Sequence, residues 1–332
     1  MPPTPLPVTV RPATLADVPA IVAIHRADLV TWKRWDADGL AHLANYADLR
    51  PDERWLNGGP WLDDSTYAHY LRRLLAVDSG GAAWVAEAAG QVRAVAEAWL
   101  GEEPPPFGRS LDLGVLYTLR GHTGRGLGSA LMRVVRAHAL AAGCATLTVT
   151  HAEAPEFYAK QGLARAETWR RVRLAPLAGQ TLYTAEALTL GDYAGPEGVR
   201  GWAMPLGRYQ SARQEWERVR PGAQPDFPAW RGLRTEAWRL VVRQKPAVLV
   251  LDEQPRERGV ADVHLWTPEP TISRQLLAAL RDRAARSGFT ELLCFAAEAT
   301  LPALGPGWRD DGYKQHVWRA DLPPAAAAPR EV

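Results

Sequence analysis

The stretch that most constrains this chain is Thr123-Gly124-Arg125-Gly126-Leu127-Gly128-Ser129. An apolar-leaning segment, 111–117, precedes it, and an amphipathic helical pattern follows, so the glycines sit between a strand and a helix. Glycine there permits positive φ and close approach of a ligand to the backbone. The first turn of the following helix offers unpaired N–H groups and a partial positive charge, which suit a phosphate. A plain helix-start turn explains two of the glycines; three at alternate positions are harder to explain that way. The spacing excludes two nucleotide loops. No Gly-Lys-Ser/Thr follows, and the third glycine comes one position too early for G-x-G-x-x-G, with Ser129 in its place.

Around this loop the chain reads as a mixed α/β unit. Residues 8–11 form a strand and 13–25 a helix, with Thr14 and Asp17 in a capping-box pattern. Segment 27–75 is helical and rich in tryptophan and tyrosine. Those aromatics either pack helices against a sheet or line an acceptor pocket. Strands follow at 81–87, 92–100 and 111–117, then helix 129–142, strand 145–150 and short helix 154–161. A final hairpin is expected, 166–174 with 180–188.

From about Gly191 the organisation restarts, which suits a 332-residue chain of two domains, 1–190 and 191–322, ending in a loose Pro/Ala tail, 323–332. The halves share a frame: Gly143-Cys144-Ala145-Thr146-Leu147 parallels Gly288-Phe289-Thr290-Glu291-Leu292, each after an amphipathic helix. Where the first half has its glycines, the second has Thr267-Pro268-Glu269-Pro270-Thr271. Two prolines remove amide donors, and Glu269 repels a phosphate, so the second copy reads as degenerate.

A formal charge of +2 gives no strong pull toward nucleic acid or membrane. Cys144 and Cys294 form neither a metal pattern nor a disulfide framework. With no leader and no apolar run of membrane-spanning length, a cytoplasmic location is expected.

The first half resembles the GNAT superfamily of N-acetyltransferases. That family's signature has Arg or Gln, two residues, Gly, one residue, then Gly or Ala; Gly126-Leu127-Gly128 supplies its end, and Thr123 stands at the leading position. A second family pattern is met by His151, Ala154, Tyr158, Lys160, Gly162 and Leu163, with His151 replacing Asn and Leu163 replacing Phe. The resemblance implies two tandem acyl-CoA N-acyltransferase folds, each a mixed, mostly antiparallel twisted sheet flanked by helices. It implies acetyl-CoA as cosubstrate, its pyrophosphate held by amides of 124–129. Leu116, Tyr117, Thr118, Thr123, Gly124, Arg125, Gly126, Leu127, Gly128, Ser129, His151, Tyr158 and Lys160 are then the coenzyme-binding residues.

By the same resemblance, a backbone N–H within 113–116 polarises the thioester, and Tyr158 protonates the leaving thiolate. An amine attacks directly in a ternary complex. It must be neutral, so a base is needed. Asp112 is the first choice, Glu97 the second and Glu87 the third; each could equally be a solvent-facing strand carboxylate or bind a cationic acceptor. His151 is an alternative whose ordinary pKa suits the task. The acceptor is expected to be a small molecule, with no nucleic acid, membrane or metal involved, and the chain a monomer or homodimer. Asp36, Asp38, Asp48, Asp52, Glu53, Asp63 and Asp64 either attract a cationic acceptor or form a solvated surface. The competing class is a non-catalytic CoA-binding regulatory or scaffold protein.

Overall fold

The computed structural model describes residues 7–36, 38–179, 181–189, 199–220 and 223–323. The expected division at residue 190 and nearly all of the expected tail lie outside them.

In chain order the elements are β1 (Val8–Pro12), α1 (Val18–Asp28), β2 (Trp32–Trp35), β3 (Ala41–Ala44), α2 (Pro51–Leu56), α3 (Asp64–Leu74), β4 (Gly81–Ala88), β5 (Gln91–Glu102) and β6 (Arg109–Thr118). Then come α4 (Leu127–Ala141), β7 (Thr146–Thr150), α5 (Pro155–Lys160), β8 (Ala164–Leu174), β9 (Thr184–Ala187), β10 (Ala203–Leu206) and α6 (Ala212–Val219). The remainder are β11 (Thr235–Val242), β12 (Lys245–Glu253), β13 (Val260–Thr267), α7 (Arg274–Arg286), β14 (Glu291–Ala297) and β15 (Arg309–Asp321). Thirteen strands form one sheet in the order β1-β4-β5-β6-β7-β15-β8-β14-β10-β13-β12-β11-β9, and β2 with β3 forms a separate hairpin. Among the described strands, pairing is parallel at β6–β7 and β13–β14 and antiparallel elsewhere.

Local chemistry accounts for these elements. The β4–β5 turn places Ala89 and Gly90 at φ 52° and 72°, and the β11–β12 turn places Arg243 and Gln244 at 49° and 63°. Positive φ at both central residues is the two-residue hairpin turn whose twist matches its strands. Asp17 accepts from the Thr14 backbone N–H at 2.8 Å, as the capping pattern predicted, although a short 3-10 turn intervenes before α1. Helix α4 buries Leu127, Leu131, Met132 and Val135 under the β4–β6 sheet, each large aliphatic side chain contributing about 1.5–3 kcal/mol. On the opposite face α1 and α3 bury Ile21, Val22, Tyr67 and Leu71. The pattern recurs around β11–β14, with Leu277 and Leu280 of α7 on one face and Trp216 of α6 against Trp266 on the other.

The expected final hairpin does not form. Strand β8 pairs with β14 on one side and β15 on the other, while β9 pairs with β11. Strand β15 lies between β7 and β8. Alternating polarity identifies a strand but not its partner; the β8–β15 pairing is accompanied by ion pairs between the two strands. Arg170 reaches Asp310 at 2.7 Å and Arg173 reaches Asp311 at 2.6 Å. Hence the N- and C-terminal halves of the chain interleave in one sheet.

Candidate functional site

Strand β6 is bound to β7 from Ser110 opposite Thr146 to Leu113 opposite Val149, then parts from β7 and runs on to Thr118 paired with β5. Beyond it the glycine loop opens. Gly124 and Gly126 have φ 75° and 85°, which any other residue adopts at a cost. A Cβ on either would meet nothing within 4 Å, so the loop faces open space. Gly126 is the N-cap of α4 and supplies no side-chain acceptor, leaving the first-turn N–H groups for an outside anion. Gly128 has another reason: its Cβ would stand 3.3 Å from Phe157 of α5. Thr123 is exposed, Arg125 half-buried and Leu127 buried in the core; Ser129 Oγ accepts from Gln161 at 3.4 Å. Leu116, Tyr117 and Thr118 lie on that end of β6, each half-buried.

The β5–β6 ladder carries a bulge beside this opening. Glu97 faces Val115 and Ala98 faces Leu113, so Gly114 is the extra residue. A bulge bends a strand and re-aims its groups. The matching ladder between β12 and β13 runs without a register shift. Gly114 lacks room for a side chain: its Cβ would lie 2.9 and 3.1 Å from the Gln214 carboxamide and 3.2 Å from that of Gln210. Gln210 Nε2 also donates to the Gly114 carbonyl at 3.1 Å.

Two buried carboxylates flank the bulge. Glu97 accepts from Trp61 Nε1 at 3.1 Å and from the Tyr67 hydroxyl at 2.8 Å, and burial raises its pKa to about 7 despite those bonds. Asp112 is pushed by burial to about 6; it accepts from Thr148 at 2.6 Å and, more weakly, from Thr150 at 3.4 Å. Glu87 is tied to Arg11 at 2.8 Å. His25, buried between Trp61 and Tyr117, is held near 3 by burial and is neutral.

Tyr158 is 7% exposed in the α4-side core, and its hydroxyl is raised well above the ordinary value by burial, then by Glu153 and Tyr117. His151, at φ 61°, contacts the Tyr313 hydroxyl of β15 through Nδ1 at 2.6 Å. Lys160 is exposed at the end of α5.

A cavity of ≈ 680 Å³ is walled in part by Gln210 and Gln214, the two glutamines that pack on Gly114. One wall is aromatic, with Trp55, Trp61, Tyr70 and Trp99; another comes from the C-terminal half, with Gln210, Gln214, Asp252, Asp262 and His264. So some insert aromatics line the cavity while Tyr67 and Tyr70 also pack on the core. The acidic residues of the insert do not form an open cation face. Glu53 pairs with Arg34 at 2.9 Å, Asp52 with Arg50 at 2.8 Å and Asp63 with Arg54 at 2.6 Å. Gly114, Gln210 and Gln214 escaped the sequence reading. The glycine lay unremarked inside 113–116, and neither glutamine stands in a motif.

Among the described residues no group of histidine, cysteine and carboxylate side chains is arranged to hold a metal, and no helix is long and apolar enough to cross a membrane.

Residues 44–163 match the sequence model of the Acetyltransferase (GNAT) family. A GCN5-related N-acetyltransferase from Anabaena variabilis has a similar structure, with a TM-score of 0.58 and 10% identity over 94% of this chain and 72% of that one. Another, from Kribbella flavida, has a TM-score of 0.53 and 13% identity over 96% and 72%. At such identities the likeness is one of fold. No curated protein sequence matches the chain.

Proposed function

We propose that the chain, whose residues 44–163 match the Acetyltransferase (GNAT) family model, is an acetyl-CoA-dependent N-acetyltransferase that acetylates a small primary amine bound in the cavity walled by Gln210 and Gln214. The observation that carries this is the Gly114 bulge, flanked by Glu97 at the start of the β6 end that runs past β7 toward the glycine loop, and packed against Gln210 and Gln214, which wall the cavity. Acetyl-CoA would supply the acetyl group as a thioester. Its pyrophosphate fits the amides of 124–129, with Thr123, Arg125, Ser129 and Lys160 at the rim and Leu116, Tyr117 and Thr118 along its arm. Free N–H groups of β6 next to the bulge polarise the thioester carbonyl.

Glu97 is the favoured base. It flanks the bulge, and its raised pKa lets it take a proton near neutrality. It does not itself line the cavity; Tyr70 does, and its hydroxyl, a group that both accepts and donates, passes the amine proton inward to Glu97. Asp112 Oδ1 is committed to Thr148, which suits a positioning role for β6 and β7. Tyr158, kept protonated by burial, donates to the leaving sulfur. His151 braces the turn after β7 against Tyr313 rather than serving as base.

We also read the chain as two copies of one fold. Asp112 stands opposite Thr148 in the β6–β7 ladder and Asp262 opposite Leu293 in β13–β14, at the third pair of each ladder. Burial raises both aspartates to about 6. The C-terminal copy lacks the bulge and the glycines, and Glu269 in the corresponding loop pairs with Lys245 at 2.8 Å. It therefore serves as the acceptor wall. Thiol release from acetyl-CoA over a panel of amines tests the activity; a chain that binds acetyl-CoA but transfers to no amine would be the non-catalytic coenzyme-binding alternative.

A further inference from the structure

We propose that Gln214 of α6 is an acceptor-binding residue, its carboxamide oxygen receiving an N–H of the attacking amine at the Gly114 bulge. The inference rests on the acetyl-transfer reading above and adds a residue from outside the region that matches the acetyltransferase family.

Gln214 lines the cavity and is 6% exposed, yet its Oε1 has no hydrogen-bond partner. A buried acceptor left unpaired costs about 1–3 kcal/mol, so its retention at a cavity wall calls for a donor that arrives with a ligand. The terminal torsion of glutamine is broad, so the oxygen turns toward a bound molecule without leaving its rotamer. A primary amine that is neutral and ready to attack has two N–H groups. One can rest on Gln214 while the other faces the Glu97 side, which aims the lone pair at the bulge.

The backbone that carries this side chain is fixed from several directions. Ser211 Oγ accepts from the Gln214 backbone N–H at 3.2 Å and caps α6. Gly207 begins the preceding loop at φ 85°, where a Cβ would collide with the Val263 carbonyl at 2.0 Å. Its N–H donates to Phe295 at 2.7 Å. Arg208, 1% exposed, is locked to Glu103 and stacks over Phe107 at 3.8 Å. Gln315 Nε2 donates to the Tyr209 carbonyl at 2.8 Å. A helix start held this firmly places the Gln214 side chain reproducibly at the cavity wall, with only its terminal torsion left to adjust.

The test follows thiol release with spermidine, tryptamine, glucosamine and lysine as amine probes, and acetyl-CoA binding by calorimetry. With the fastest probe, Gln214→Leu is expected to raise the amine KM at least about tenfold and leave acetyl-CoA affinity within about twofold. Gln214→Glu keeps an acceptor oxygen and is expected to stay within about threefold of the wild-type amine KM. An unchanged amine KM in Gln214→Leu overturns the assignment. So does an equal loss in both variants, which would mark Gln214 as packing on Gly114 alone. A wild-type chain that binds acetyl-CoA but releases no thiol with any probe counts against amine transfer itself, a failure distinct from an amine KM indifferent to residue 214.

Discussion

The Tyr67 hydroxyl donates to Glu97 at 2.8 Å, joining α3 of the aromatic insert to the strand that carries the bulge. The bond holds a carboxylate in a place where ionisation is costly. With a pKa of about 7, Glu97 is a competent base only above neutrality. The expected kcat/KM therefore rises with pH to a plateau, half-maximal near pH 7. Glu97→Gln should lower kcat by about 10²–10⁴-fold and abolish that rise. A pH–rate profile of both proteins checks it.

The same residue sets a stability trend. Its folded pKa lies above its unfolded one, so the folded state binds the proton more tightly. Its favourable contribution is present below the unfolded pKa and is lost as pH rises through about 7. Glu97→Gln should match wild type in denaturant at pH 4 and be more stable at pH 9, by up to about 3 kcal/mol.

Tyr158→Phe removes the hydroxyl and keeps the packed ring. The expected result is a fall in kcat of about 10–100-fold with acetyl-CoA affinity unchanged in calorimetry. Because the hydroxyl is raised above its ordinary value, it should produce no alkaline decline in the pH profile below pH ~10.

Gly126→Asp places a carboxylate at a left-handed N-cap that faces open space. Strain of about 1–2 kcal/mol and repulsion of the pyrophosphate act together. Acetyl-CoA Kd should rise at least about tenfold by calorimetry. Gly128→Ala should behave differently, crowding Phe157 and lowering Tm by a few degrees with a smaller effect on Kd.

Most elements were legible because periodicity reports burial. The amphipathic stripes of α4 and α7 and the buried runs of β6, β7, β12 and β13 were all readable in this way. The glycine loop was legible because an open left-handed N-cap requires glycine. Strand partners were not, since Arg170 and Arg173 find their carboxylates about 140 residues away. Gln214 gave no signal at all. Its significance depends on Gly114 lying beneath it, a proximity created only by the folded sheet.

The placement of β15 between β7 and β8 also has a consequence in time. Tyr313 meets His151 across 162 residues of sequence. Strand β7, which lies beside β6, gains its second neighbour only after β15 has been synthesised, and Gln214 likewise reaches Gly114 only late in synthesis. A nascent chain that already carries the whole glycine loop and Tyr158 therefore still lacks the outer neighbour of β7 and the Gln214 side of the cavity.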